Sequence, residues 1–163
     1  MSRKPEIGEV SSGPRGKPII HCPLDPNLLG SLAEQASAEG YGMVSKLLDE
    51  WKSGRNRFDR PGERSYLAVL NGIPCGVCGL NIDPFVGAAE VGRVRRLYVT
   101  PTVRRMGIGS ALVRRLLSDS IAHFGVLRVR TREVAASAFY QSLGFECVVG
   151  DPLCTHQWTN VRR

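Results

Sequence analysis

Residues 99–112 read Val-Thr-Pro-Thr-Val-Arg-Arg-Met-Gly-Ile-Gly-Ser-Ala-Leu: a strand end, a short Arg-bearing turn, two alternating glycines and the start of an amphipathic helix. In Arg104-x-x-Gly107-x-Gly109 the missing side chains let backbone N–H groups approach a ligand closely. The first N–H groups of a helix have no intrahelical partner and lie at the positive end of its dipole, so the segment predicts a pyrophosphate on the first turn of the following helix. The spacing is neither G-x-G-x-x-G nor G-x-x-x-x-G-K-[ST], which argues against a dinucleotide-binding fold and a P-loop. A strand–loop–helix unit with an anion at its junction is the centre around which the rest must be built.

The 163-residue chain has room for one core. Hydrophobic residues make up 42% and charged residues 23%, which is a globular balance. No apolar run approaches membrane-spanning length and the start, Met-Ser-Arg-Lys-Pro-Glu, lacks the apolar stretch of a signal peptide, so a soluble cytoplasmic protein is expected, with no membrane partner. The net charge is +7 and all but four of the 22 basic residues are Arg. That choice suits bidentate contact with phosphate or carboxylate, while the charge by itself leaves nucleotide, nucleic acid and a solvated surface open.

Five cysteines without a secretion signal predict reduced thiols. Cys75 and Cys78 have C-x-x-C spacing, but no second pair completes a four-ligand site, and His21, His123 and His156 are not paired at ligand spacing; no metal is expected. Within a strand, residues three apart face opposite sides, so Cys75 and Cys78 are read as small buried hydrophobes on opposite faces.

Residues 1–17 mix Ser, Gly, Pro, Lys and Arg and read as a flexible tail, with the folded domain over 18–163. Ile19, Ile20 and Cys22 suggest a first strand. Asp25-Pro26 opens a helical stretch to about 39, and Met43, Leu47, Leu48 and Trp51 recur at helical spacing in a second helix ending near Gly54. Ser65–Leu70 and Ile73–Asn81 form a hairpin about Asn71-Gly72, with Pro74 implying an edge or first position. Residues 90–99 form a long strand feeding the glycine loop, Val94 on one face and Arg93 and Arg95 on the other. Leu112, Val113, Leu116, Leu117, Ile121 and Phe124 make one stripe of the next helix. A strand over 126–132 alternates Leu127, Val129 and Thr131 with a basic face of Arg128, Arg130 and Arg132. A helix over about 134–143 ending at Gly144, and closing strands near 145–149 and 154–161, complete the chain.

Two segments in order, Leu97-x-Val99-x-Pro101-x-x-Arg104-x-x-Gly107-x-Gly109 and Ala136-x-x-Phe139-Tyr140-x-x-x-Gly144-Phe145, resemble the GNAT-type N-acetyltransferase family. The resemblance covers residues 90–148 and extends by topology to the first strand and hairpin, whereas no motif covers 24–64. It implies a single-domain α/β (α+β) fold, a mixed and mostly antiparallel sheet of about six to seven strands flanked by about four helices. It also implies acetyl-CoA as co-substrate and an acyltransferase activity on a primary amine of a small molecule or protein.

Residue by residue, the resemblance implies that the backbone of Leu97, Tyr98 and Val99 runs beside the pantetheine arm like an added strand. Main-chain N–H groups across Arg104, Arg105, Met106, Gly107, Ile108, Gly109 and Ser110 hold the pyrophosphate, and Arg104 and Arg105 supply charge. Tyr140 matches the position of a general acid, able to protonate a thiolate whose acid has a pKa of about 8.5. For the general base, Arg95 and Arg96 stand where a Glu is frequent, leaving Glu90, with Glu63 and Asp83 as alternatives; Glu133 stands where an Asn is frequent. Two other classes remain open: a CoA-binding module without catalysis, and a small basic nucleic-acid binder. Oligomeric state is open, a homodimer included.

Overall fold

The computed structural model describes residues 16–162, so the tail expected over 1–17 lies almost wholly outside the described residues. Seven strands form one sheet: β1 (Ile19–His21), β2 (Arg64–Leu70), β3 (Ile73–Ile82), β4 (Val91–Val99), β5 (Val126–Val129), β6 (Glu146–Cys147) and β7 (His156–Thr159). Their order is β1-β2-β3-β4-β5-β7-β6, with β4–β5 the parallel pair and all the other pairs antiparallel. Four helices flank it: α1 (Gly30–Ala38), α2 (Met43–Ser53), α3 (Ile108–Ser120) and α4 (Val134–Ser142). The expected mixed, mostly antiparallel architecture is what the chain adopts.

Alternation along the strands explains the layers. Tyr66, Ala68 and Leu70 of β2, with Leu80 of β3 and Val94 of β4, pack under Leu112, Val113 and Leu116 of α3 and Tyr140 of α4. Leu67, Val77 and Tyr98, on the opposite face, pack under Leu32 and Ala36 of α1 and Val44 and Leu47 of α2. The central strands are thus apolar on both faces, as a sheet covered on both sides requires. The hairpin forms as expected: Asn71 (φ 50°) and Gly72 (φ 77°) both adopt the left-handed geometry that a two-residue turn demands.

Two bulges re-aim side chains. The β2–β3 register shifts between Ala68 and Val69, which pair with Gly76 and Pro74 and leave Cys75 as an extra residue. The shift breaks the simple alternation. Cys75 therefore joins Cys78 in the core under α3, instead of facing the other side as expected, and both are buried free thiols. Pro74 lies in a central strand, at its end beyond the β4 pairing, which starts at Gly76. The second bulge is in β4: Arg95 pairs with Gly79 and Tyr98 with Val77, so Arg96 and Leu97 together oppose Cys78, and Arg96 has φ 59°.

Several elements are shorter than the sequence suggested. Residues 26–39 divide into a single 3-10 turn, Pro26–Leu28, and α1. β5 ends at Val129, and the two closing strands shrink to two and four residues. The expected basic face is also not a face: Arg93 and Arg128 are buried and share Asp83, at 3.3 and 3.1 Å, while Arg130 is exposed. Asp83 also accepts the N–H of Phe85 at 2.8 Å, and Arg93 donates to the Leu153 carbonyl at 2.8 Å.

Candidate active site

β4 and β5 pair over three residues only, Val91–Arg93 with Val126–Arg128. Beyond Arg93, β4 runs on to Val99 while β5 ends at Val129 without pairing it further, so the C-terminal half of β4 borders a gap with an edge that β5 does not pair. Such an edge presents backbone donors and acceptors to an extended ligand. Leu97 and Val99 border the α3 core and Tyr98 lies in the other core, so the side chains are anchored while the backbone is offered to the gap.

At the wide end of the gap, Pro101–Val103 forms a 3-10 turn and α3 begins at Ile108. Its cap, Gly107, has φ 81° and contributes no side-chain bond to the first turn. The N–H groups of Ile108, Gly109 and Ser110 precede the first intrahelical donor, the Ala111 N–H, which the Gly107 carbonyl accepts at 2.9 Å. A Cβ on Gly109 would meet Phe139 at 3.6 Å and Val99 at 3.7 Å, ordinary contacts, so the fold itself does not forbid a side chain there. Arg105 is exposed with φ 63°, and Met106 is exposed beside it.

Arg104 does not face outward as a free cation. Its two terminal nitrogens bond both oxygens of Glu39 at 2.7 Å, its Nε donates to the Val99 carbonyl at 2.9 Å, and its guanidinium lies 5.5 Å from the Tyr98 ring centre. Tyr98 donates its hydroxyl to Glu39 at 2.6 Å. The Arg104 bonds, then the Tyr98 bond, hold the Glu39 carboxyl below its usual range, and burial with the Glu39 bond pushes the Tyr98 phenol up to about 12. Next to Glu39 in the α1–α2 corner, Tyr41 donates to Glu133 at the start of α4, at 3.4 Å. The corner is thereby tied to both sides of the β4–β5 gap.

Tyr140 reaches the same region from α4. Its ring is buried against Phe139 and Phe145, with centroids 5.1 and 5.3 Å away, and beside Cys78. Burial pushes its phenol well above the usual tyrosine range. Among the described residues its hydroxyl has no hydrogen-bond partner, yet it is not a sealed polar atom. A protonated hydroxyl without a protein acceptor is a proton donor in waiting.

The carboxylates considered from sequence are not brought to this point. Glu90 is exposed in the turn before β4, five residues from Arg95, on the order of 16 Å along an extended strand. Glu63 is buried and consumed by Arg60 and the Ile82 N–H, at 3.0 Å each, and Asp83 by its two arginines. The carboxylate at the bulge is Glu50 of α2, bonded to Arg96 at 3.0 Å, with its second oxygen and the Arg96 Nε both buried and unpartnered. The signal for it was present in the sequence. Glu50 falls three residues after Leu47 and seven after Met43, a charge on the apolar stripe of an amphipathic helix.

The family model described as Acetyltransferase (GNAT) family matches residues 30–145. No protein with a curated description matches the sequence. Among solved structures, a protein from Exiguobacterium sp. 255-15 assigned to the acetyltransferases is 26% identical, with TM-score 0.78, 88% of this chain and 94% of that chain covered. The ribosomal-protein-alanine N-acetyltransferase of Brucella melitensis is 21% identical (TM-score 0.66, covering 86% of this chain and 99% of that one). Salmonella typhimurium yncA, solved with its cofactor acetyl-CoA, is 17% identical (TM-score 0.66, covering 88% and 95%). The match spans the gap, the glycine loop and the helix bearing Tyr140, and on it the chain belongs to the GNAT acetyltransferase family.

Proposed function

We propose that this chain is an acetyl-CoA-dependent N-acetyltransferase that acetylates a primary amine by direct attack, with donor and acceptor bound together. The observation that carries the reading is the parted β4–β5 pair leading into an α3 whose first turn has no internal cap. An extended pantetheine arm fits the backbone edge of Leu97, Tyr98 and Val99 that β5 does not pair, beside the Val99 carbonyl that Arg104 holds. A pyrophosphate fits the N–H groups of Gly107, Ile108, Gly109 and Ser110, with Arg105 as the free cation beside them. Since Arg104 is held by Glu39, its part is to fix the loop to β4 and α1.

Bound there, acetyl-CoA supplies an activated thioester acetyl group. Tyr140 Oη keeps its proton at neutral pH, because burial disfavours the phenolate, and can release it to a departing thiolate. The bulge at Arg96 and Leu97 lies at the mouth of the gap beside the Glu50–Arg96 pair, which holds β4 in the shape the acceptor meets. Glu90 stands too far along β4 to reach that point. An acceptor α-amine, with a pKa of about 7.7–8.0, loses its proton near neutral pH without a dedicated carboxylate.

Calorimetric titration with acetyl-CoA followed by a screen of primary amines tests the reading. The expected result is saturable binding, with an acetylated amine formed and free thiol released in equal amounts. Binding without transfer to any amine would make the chain a CoA-binding module, and no binding would remove both.

A further inference from the structure

Arg95 precedes the β4 bulge and is two residues beyond the last β4–β5 pair. It lines a cavity of about 440 Å³ bounded by Glu50 at the end of α2, the 54–60 loop, and Asn81 and Ile82 of β3. That volume suits a small molecule. Around it, the neighbouring cations are already engaged: Arg96 with Glu50, Arg60 with Glu63, Arg93 and Arg128 with Asp83, and Arg57 with the Trp51 carbonyl. Arg95 is half-buried and, among the described residues, its side chain makes neither a hydrogen bond nor a contact ion pair. Burial, then the charge of Arg96, destabilises its cation. Asp59 is the lining carboxylate without a partner, and it is exposed on the rim.

Glu50 and Asp83 act on the Arg95 guanidinium only without contact, each being bonded to other arginines, and a half-buried planar fork with no bonded partner matches a carboxylate. We propose that Arg95 is the specificity-determining residue of the acceptor site, and that the cavity takes a small amine that also carries a carboxylate, its carboxylate paired with the Arg95 guanidinium and its amine turned to the β4 bulge. The acid-bearing acceptor supplies the contact partner that Arg95 lacks within the protein. This rests on the transferase reading above.

The test compares twenty α-amino acids with their carboxamides, which keep the amine and lose the negative charge. For the wild-type enzyme the acids should be preferred at least tenfold in kcat/KM. Arg95→Gln should bring the ratio near one, chiefly through KM, and leave the KM of acetyl-CoA unchanged; Arg95→Lys should restore part of the preference. Calorimetry of the same amino acids and carboxamides with the CoA-loaded protein should show binding of at least one acid, absent for its amide, that Arg95→Gln abolishes. The thermal midpoint of Arg95→Gln should not fall, because the side chain gives up no hydrogen bond or contact ion pair while a half-buried charge is removed. Equal use of acids and amides by the wild type, or a preference that survives Arg95→Gln, overturns the assignment while leaving the transferase intact. If no amine is acetylated, the transferase reading fails, and the calorimetric arm still decides whether Arg95 binds a carboxylate.

Discussion

Glu39 grips Arg104 with both carboxylate oxygens at 2.7 Å, joining the α1–α2 corner to the loop that opens α3. Both side chains are partly exposed, 25% and 39%, so the pair is a surface anchor of modest strength. Glu39→Gln should speed amide exchange in residues 39–42 and 104–107 with little loss of global stability. The Glu39 carboxyl is held below its usual range, so the anchor is intact above the ordinary carboxylate pKa and is lost as pH falls through the lowered one. Carboxyl chemical shifts across an acid titration read this directly; a Glu39 that titrates at or above the ordinary value contradicts it.

Tyr140→Phe removes the hydroxyl and leaves the packing against Phe139 and Phe145. The expected effect is a fall in kcat of about a hundredfold, with the acetyl-CoA Kd within about twofold. Because the phenol is raised, its loss of a proton should not limit the rate below about pH 10. In the wild type, kcat/KM should rise with deprotonation of the acceptor amine and then stay level. A fall beginning below about pH 9 would assign the proton to another group.

Gly109→Ala separates binding from folding. The added methyl makes only ordinary contacts, and Ala is the better helix former, so stability should hold or rise by about 0.5 kcal/mol. The same methyl crowds the N–H groups of the first turn, and acetyl-CoA affinity should drop by roughly tenfold or more, about 1.4 kcal/mol. Unchanged affinity would move the pyrophosphate elsewhere.

Glu50→Gln leaves the buried Arg96 cation uncompensated beside a backbone held at φ 59°. With both side chains 12–13% exposed, the cost should be about 3 kcal/mol in urea unfolding, and replacing both partners by Met should recover most of it. A positioning role predicts a lower kcat with acetyl-CoA binding retained. A variant of normal stability and normal kcat would show that the bulge holds its shape without the pair.

The parts legible in the sequence are those set by short-range chemistry. Asn71-Gly72, the α3 stripe and Gly107 each carry a local geometric demand that few alternatives satisfy. The bulges were not legible, since a one-residue shift depends on how β2, β3 and β4 align; hence Cys75 was put on the wrong face. Charge was read by sign and not by partner. Arg93, Arg104 and Arg128 have the look of available cations in the sequence, but Asp83, Asp151 and Glu39 neutralise them, while Arg95 emerges as the half-buried one with no contact partner. Glu50 was overlooked although it interrupts an apolar stripe, because a single charge there has no meaning until Arg96 is seen opposite it.

The most direct measurement of the account is acetyl transfer itself: wild-type protein, acetyl-CoA and a panel of primary amines, with the acetylated product read by mass spectrometry against released thiol. The account predicts an acetylated amine in one-to-one ratio with thiol, and product reduced about a hundredfold by Tyr140→Phe. Saturable acetyl-CoA binding with no amine acetylated would contradict it.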